Sequence, residues 1–334
     1  MCNSDIEVDP AVLGSESSDY ASSGYETSTQ SITSSVHQYV IENGRRYHSY
    51  FGLDKNPMPT DEAEQDRLDM HHESFLMLLD GELHVAPIKE PHRILDVGTG
   101  TGIWAIDAAD RYPGAEVIGT DISPIQPGWV PPNCKFEIDD AEQEWTYRPD
   151  SFDFIHVRNF TFSCNSWPKF MASLYKHTTP GGYVELQELG GVLHSDDGTM
   201  SDDNAAKRHL ELQVEALAKM GRPTHTGRTL KALFEQAGFE DVTVRDVKHP
   251  LGPWPKDKRL KHIGAMMLLN CATAFEAYGL ALFTRVLQLG HDEALQLCRE
   301  AFDAVKNRHN HTYTYFHVVY GRKPEHPSPR SSPE

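Results

Sequence analysis

The run Ile94-Leu95-Asp96-Val97-Gly98-Thr99-Gly100-Thr101-Gly102 constrains this chain more than any other. Its apolar stretch reads as a buried strand, its three alternating glycines as a sharp turn, and the residues from Ile103 on as the start of a helix. Glycine is required where the backbone turns tightly and a ligand must lie against it. The helix start offers backbone N–H groups with no partner of their own. A chain built around this run is held to strand–turn–helix units.

The same pattern recurs downstream. Strands are expected at 93–97, 116–121, 135–138, 152–157 and 182–187, with helices starting near Thr101 and near Ser166. Strands alternating with helices imply right-handed crossovers and a parallel sheet. Helices at 203–220 and 228–237 and strands at 241–247 and 313–320 come next, with mostly helical chain between the last two strands. Ahead of the first strand, Thr60 caps a helix whose stripe is Leu68, His72, Phe75, Leu76 and Leu79, and Gly81 closes it. Because it precedes the first strand, it is a candidate lid helix.

Two acids sit where a nucleotide would need them. Asp121 ends the second expected strand and can accept from both hydroxyls of a ribose; with Ser123 and Pro124 behind it, it also reads as a helix cap. Asp140, in Asp139-Asp140-Ala141-Glu142 after the third strand, can accept from an adenine amino group, or can be a solvated turn. Pro180-Gly181-Gly182 breaks the chain before the fifth strand. A dinucleotide fingerprint fits less well: its last glycine falls at position 103, where Ile103 stands, and no second mononucleotide half is visible. No Gly-Lys-Ser/Thr follows the glycines, which excludes a P-loop.

In this order and spacing, Asp96-x-Gly98-x-Gly100-x-Gly102, Asp121, Asp140-Ala141-Glu142 and Pro180-Gly181-Gly182 resemble the class I S-adenosylmethionine-dependent methyltransferases, over about residues 90–190. The resemblance implies a doubly wound α/β fold: a seven-stranded, mostly parallel Rossmann-like sheet with a final antiparallel strand and helical lid and cap insertions. It also implies that Asp96 and the turn Gly98, Gly100 and Gly102 hold the methionine part of the cofactor S-adenosyl-L-methionine, Asp121 its ribose, and Asp140 with Ala141 its adenine edge. A narrower resemblance spans about 40–325 through Tyr47-His48-Ser49-Tyr50, Glu64-Gln65-Asp66-Arg67-Leu68-Asp69, Leu79-Asp80-Gly81-Glu82-Leu83-His84, Gly100-Thr101-Gly102-Ile103-Trp104-Ala105-Ile106-Asp107, Ile155-His156-Val157-Arg158 and Gly252-Pro253-Trp254-Pro255-Lys256-Asp257. These are similar to the fungal LaeA-like branch with a trans-aconitate-methyltransferase-like domain. Members of that branch are regulators of secondary metabolism or enzymes that methylate a small metabolite. The resemblance implies O- or N-methylation of a small-molecule acceptor in fungal secondary metabolism, with a nuclear regulator acting in a protein complex as the alternative.

Methyl transfer from a sulfonium needs positioning and exclusion of water; a general base is needed only if the acceptor must lose a proton. His156, Arg158 and Asn159 end the fourth expected strand, on the side where ligands bind in parallel sheets. His156 is a candidate base. Arg158 is a candidate bidentate clamp for a carboxylate. Both also read as structural hydrogen-bonders. Tyr47, Tyr50, Glu185, Glu188 and His194 are further candidates, the two tyrosines as a closing lid. The histidines show no metal-ligand spacing, so no metal is expected.

Composition bounds the rest. The formal net charge of −18 over 334 residues disfavours direct binding to nucleic acid. The apolar stretch 263–283 contains Asn270 and Glu276, so it is expected to be a buried helix lining a pocket rather than a membrane span. Five cysteines without a Cys-x-x-Cys pair read as reduced intracellular thiols, and the cytoplasm is the expected compartment, or the nucleus for a regulator. Residues 1–36, rich in Ser and acids, are expected to be a disordered tail, 37–323 the methyltransferase domain with its cofactor core at about 90–190 and a helical cap at about 195–310, and 324–334 a Pro/Ser-rich tail.

Overall fold

The computed structural model describes residues 34–325. The expected tails fall outside the described residues apart from their inner ends, where Ser34–His37 forms a 3-10 turn.

A hairpin that the sequence pattern did not suggest comes first. Strands β1 (Tyr39–Glu42) and β2 (Arg45–His48) pair antiparallel around Asn43-Gly44. Both turn residues have positive φ, 53° and 75°, which Asn and Gly tolerate and a two-residue hairpin needs. Helix α1 (Glu62–Leu78) starts one residue later than expected: Asp61, not Thr60, is its cap and accepts from the Glu64 N–H at 3.1 Å. It closes as expected at Gly81, whose N–H returns to the Leu76 carbonyl at 2.7 Å.

The sheet has seven strands. They are β3 (Arg93–Val97), β4 (Glu116–Asp121), β5 (Cys134–Ile138), β6 (Phe152–Arg158), β7 (Thr178–Leu189), β8 (Glu240–Pro250) and β9 (Tyr313–Arg322). Their order is β5-β4-β3-β6-β7-β9-β8, all parallel except β9. The central strands read as near-continuous apolar runs because helices cover both faces. On one face Trp104, Ala105 and Ala108 of α2 (Ile103–Arg111) pack on Ile94, Val117 and Phe154. On the other, α3 (Trp167–His177) and α5 (Gly227–Ala237) bring Phe170, Leu174, Leu230 and Phe234 against Leu95, Val157 and Val184. Pro180-Gly181-Gly182 does not break the chain before β7. It lies inside the strand, where the register with β6 shifts.

Three helices form the cap: α4 (Ala205–Lys219), α6 (Lys258–Ala281) and α7 (His291–Lys306). Leu217, Phe275, Phe283 and Leu297 belong to their shared core. The interval expected as cap, 195–310, therefore divides, because α5 and β8 belong to the sheet layer. The stretch 263–283 is a buried helix, with Asn270 donating to the Arg67 carbonyl at 2.8 Å and accepting from the Arg67 guanidinium at 3.3 Å.

Candidate active site

Strand order reverses between β3 and β6, and open α/β sheets bind ligands at such a switch point, beyond the carboxyl ends of the strands. A cleft lies there, with about 1280 Å³ of space when the open solvent at its mouth is included, floored by the glycine turn and roofed by α1 and the chain leading into it. The turn needs its glycines for its own sake. Gly98, Gly100 and Gly102 all have positive φ, and a Cβ on Gly102 would stand 2.3 Å from the Phe136 ring. Asp121 holds the turn open: its carboxylate accepts the Gly100 N–H and the Ser123 N–H, each at 2.9 Å. The cap reading and the ligand reading of Asp121 are therefore compatible, because a carboxylate has about four acceptor positions and two are taken. Burial pushes this carboxyl up to about 6, opposed by those backbone N–H donors.

Asp96 lines the cleft beside the turn and is nearly buried. One oxygen accepts from Thr99 Oγ1 at 2.5 Å and the other from His156 Nδ1 at 2.7 Å. The His156 ring has no solvent exposure and stacks on the Trp104 indole, centroids 3.8 Å apart and planes 5° from parallel. Burial lowers its pKa, against the pull of Asp96. His156 lines the cleft: its Nδ1–H is given to Asp96, so the ring braces that carboxylate beside the glycine turn, while its buried Nε2 has no partner among the described residues. Arg158 lines the cleft as well. Its guanidinium lies 3.1 Å from His72 Nδ1 and over the Phe75 ring at 5.1 Å, and among the described residues no carboxylate comes within salt-bridge distance. Burial pulls its pKa down to about 10, which leaves a cation short of a counter-charge.

Asp140 and Ala141 line the far end of the cleft. Asp140 accepts the Glu142 N–H at 3.0 Å and is clamped by Lys55, whose Nζ lies 2.7 Å from Oδ2. Burial alone would raise the Asp140 pKa; Lys55 and the Glu142 N–H outweigh it and hold the carboxyl low. Lys55 comes from the chain between β2 and α1, and nothing local in the sequence distinguishes it from a surface lysine. The same holds for the buried pair Glu64–Arg67, with contacts of 2.7 and 2.9 Å, and for Tyr278 of α6, whose ring lies 4.7 Å from the Arg67 guanidinium.

The remaining candidates disperse. Tyr47 is fully buried beneath Arg285 and Tyr50 is exposed; neither lines the cleft, whose roof is formed by residues of 55–60 and α1. Glu185 is buried away from the site, accepting from the Val85 and Ala86 N–H groups at 2.8 and 2.7 Å. Glu188 takes the Phe160 N–H at 2.6 Å and the Thr161 hydroxyl at 2.9 Å, fixing the loop after β6. His194 pairs with Tyr313 at the sheet's end. Among the described residues no three His, Cys, Asp or Glu side chains gather as a metal site.

This lining fits a nucleoside with an amino-acid arm: a bare glycine backbone, one acid with free acceptor positions at the turn, a second acid further along and an unpaired guanidinium at the other side. Fold and site together define an S-adenosylmethionine-dependent methyltransferase. Residues 70–244 match the family described as "Methyltransferase domain", and the chain belongs to that family. It is 38% identical over 301 residues to Methyltransferase pytC of Aspergillus terreus, covering 90% of this chain and 92% of the relative. It is 37% identical over 295 residues to Secondary metabolism regulator LAE1 of Cochliobolus heterostrophus, covering 85% and 95%. To Protein-methionine methyltransferase laeA of Emericella nidulans it is 36% identical over 299 residues, covering 88% and 79%.

Proposed function

We propose that this methyltransferase transfers the methyl group to oxygen or nitrogen of a small molecule in fungal secondary metabolism, and that it works in the cytoplasm. The observation that carries the reading is a second cavity, under the helical cap, that adjoins the cofactor cleft and shares Asn159, Phe162 and Tyr278 with it. An acceptor lodged there meets the cleft at its reactive end.

S-adenosylmethionine supplies a methyl group on a sulfonium sulfur, which departs as a neutral thioether when an acceptor lone pair takes the methyl. The chain's residues bind and orient. Gly98, Gly100 and Gly102 let the amino-acid arm lie on the backbone, with Asp96 bracing the turn. Asp121 takes the ribose hydroxyls, and Asp140 with Ala141 the adenine edge. Arg158 takes a carboxylate, which the amino-acid arm of the cofactor carries. The roof of α1 and Lys55 keeps water out.

The similarity to regulators named LAE1 and laeA supports a second reading, a nuclear regulator in a protein complex whose acceptor is a protein methionine or absent. One experiment separates them. Purified protein is incubated with methyl-tritiated S-adenosylmethionine, its own cell lysate and an organic extract of the source culture. Label partitioning into the organic phase is expected. Label confined to protein would replace the small-molecule reading with the regulatory one.

A further inference from the structure

The cavity under the cap has a chemistry of its own. It lies between the carboxyl end of β7 and helices α4 and α6, with about 820 Å³ of space when the open solvent at its mouth is included. Leu217, Leu251, Met267 and Phe275 give it apolar walls, and none of the residues lining it is Lys or Arg. A carboxylate or phosphate entering it would lose its hydration with no cation in return, which costs several kcal/mol. The unpaired Arg158 lies on the cofactor side and does not line it.

One deeply buried ring in its wall holds an open acceptor. His209 on α4 is 1% exposed, and its Nε2 lies 3.0 Å from the Phe275 main-chain oxygen. A carbonyl can only accept, so Nε2 carries the proton and Nδ1 presents a bare lone pair. That Nδ1 is buried and has no partner in the protein. Burial lowers the ring's pKa to about 4, so it stays neutral. The fold leaves room for this ring: Gly279 stands near the end of α6, and a Cβ there would approach His209 Nε2 to 2.4 Å. A glycine inside a helix costs about 1 kcal/mol relative to alanine, and an unmet buried acceptor costs about 1–3 kcal/mol. Glu188, the one carboxyl in the wall, also accepts, already meeting N–H and O–H donors.

We propose that the cap cavity holds the body of the methyl acceptor, that this acceptor is an uncharged, largely apolar molecule, and that His209 Nδ1 selects it by accepting a hydrogen bond from one of its hydroxyl or N–H groups. The inference rests on the methyltransferase reading of the adjoining cleft. His209 is a specificity residue and not a base, since a neutral ring of such low basicity takes no proton near neutral pH. The molecule's second end is directed to the boundary with the cleft, where Asn159, Phe162 and Tyr278 line both cavities.

The test is binding, which needs no knowledge of the true acceptor. With S-adenosylhomocysteine bound, the full-length protein is titrated by calorimetry with 2-naphthol, naphthalene and 2-naphthoate. Expected is saturable binding of 2-naphthol, at least tenfold weaker binding of naphthalene and none of 2-naphthoate. His209→Phe preserves ring and volume but removes the acceptor, so it should bring 2-naphthol down to the level of naphthalene. Val214→Phe fills the cavity from α4 and should abolish 2-naphthol binding; unchanged S-adenosylhomocysteine affinity in that variant certifies its fold. Equal binding of 2-naphthoate, or undiminished 2-naphthol preference in His209→Phe, overturns the inference while leaving the cofactor cleft intact. A protein that binds 2-naphthol but not S-adenosylhomocysteine would instead overturn the reading of the cleft.

Discussion

Asp121 and Gly100 are joined directly: a carboxylate at the end of β4 accepts the N–H of the middle glycine of the turn after β3, at 2.9 Å. The ribose acid and the glycine turn are thus one unit. Asp121→Ala should do more than remove acceptors for two hydroxyls, because it also releases the turn. Each hydrogen bond to a charged acceptor is worth roughly 1.5–3 kcal/mol, so S-adenosylhomocysteine affinity should fall by about a factor of ten or more. Calorimetry checks this; normal affinity in a folded variant would reduce Asp121 to a cap.

The same carboxyl gives a pH signature. Burial raises its pKa to about 6, and the ionised form is the better acceptor for hydroxyl donors. Below that pH the free protein must first lose a proton to bind. S-adenosylhomocysteine should therefore bind about tenfold more weakly at pH ~5 than at pH ~7. Affinity flat across this interval would show that Asp121 is ionised throughout or does not meet the ligand.

Lys55 ties the chain before α1 to the floor through Asp140 at 2.7 Å and Glu142 at 3.5 Å. Lys55→Met keeps the stem and removes the charge. The pair is only partly shielded from water, so its net worth is about 1 kcal/mol. The variant should release S-adenosylhomocysteine about fivefold faster in stopped-flow dissociation and be cleaved sooner by protease within 49–61. Equal off-rates would show that the clamp has no part in holding the roof shut.

Glu188 offers a linkage test. Its folded pKa is raised by burial from 4.5 to about 7. The stability it contributes is fully present below pH 4.5, where both states are protonated, and is lost as the pH rises to 7. Glu188→Gln does not titrate. Between pH 4.5 and pH 7.5 the difference in unfolding free energy should therefore move in the variant's favour by about 3 kcal/mol. Urea unfolding at the two pH values measures it, and the titration of Glu185 cancels because both proteins carry it. A constant difference would place the carboxyl in an ordinary solvated setting.

His156 should behave as a brace. His156→Leu leaves one Asp96 oxygen unmet in a buried site, at a cost of about 2–4 kcal/mol. His156→Gln keeps a donor and should lose about half as much. Denaturant unfolding gives both values. If either variant loses turnover with stability and cofactor affinity unchanged, His156 acts on the acceptor after all.

Much of this protein is legible in the sequence because the information is local. A strand that is buried on both faces must be apolar throughout, a turn with positive φ at three positions must be rich in glycine, and an acid at the next strand end must come at a fixed interval. Those requirements locate β3, β4, the glycine turn and Asp121 to within a residue. The Asn43-Gly44 hairpin carries an equally local signal, but its strands are only four residues each and half-exposed, so no apolar alternation marks them. What only the tertiary structure decides depends on residues far apart in the chain. Lys55 meets Asp140 on the far side of the glycine turn, and Arg67 meets Tyr278 across 211 positions. His156 and Arg158 stand two residues apart on one strand, so alternation sends both side chains to the same face of the sheet. The step of two residues along that face separates their roles. His156 lies deep enough to be covered by Trp104 of α2 and becomes a buried brace, whereas Arg158, at the strand's carboxyl end, passes beyond it to meet α1 and becomes a free cation. The sequence places polar residues at the ends of strands, but which of them faces a ligand is decided by the helix that covers each one.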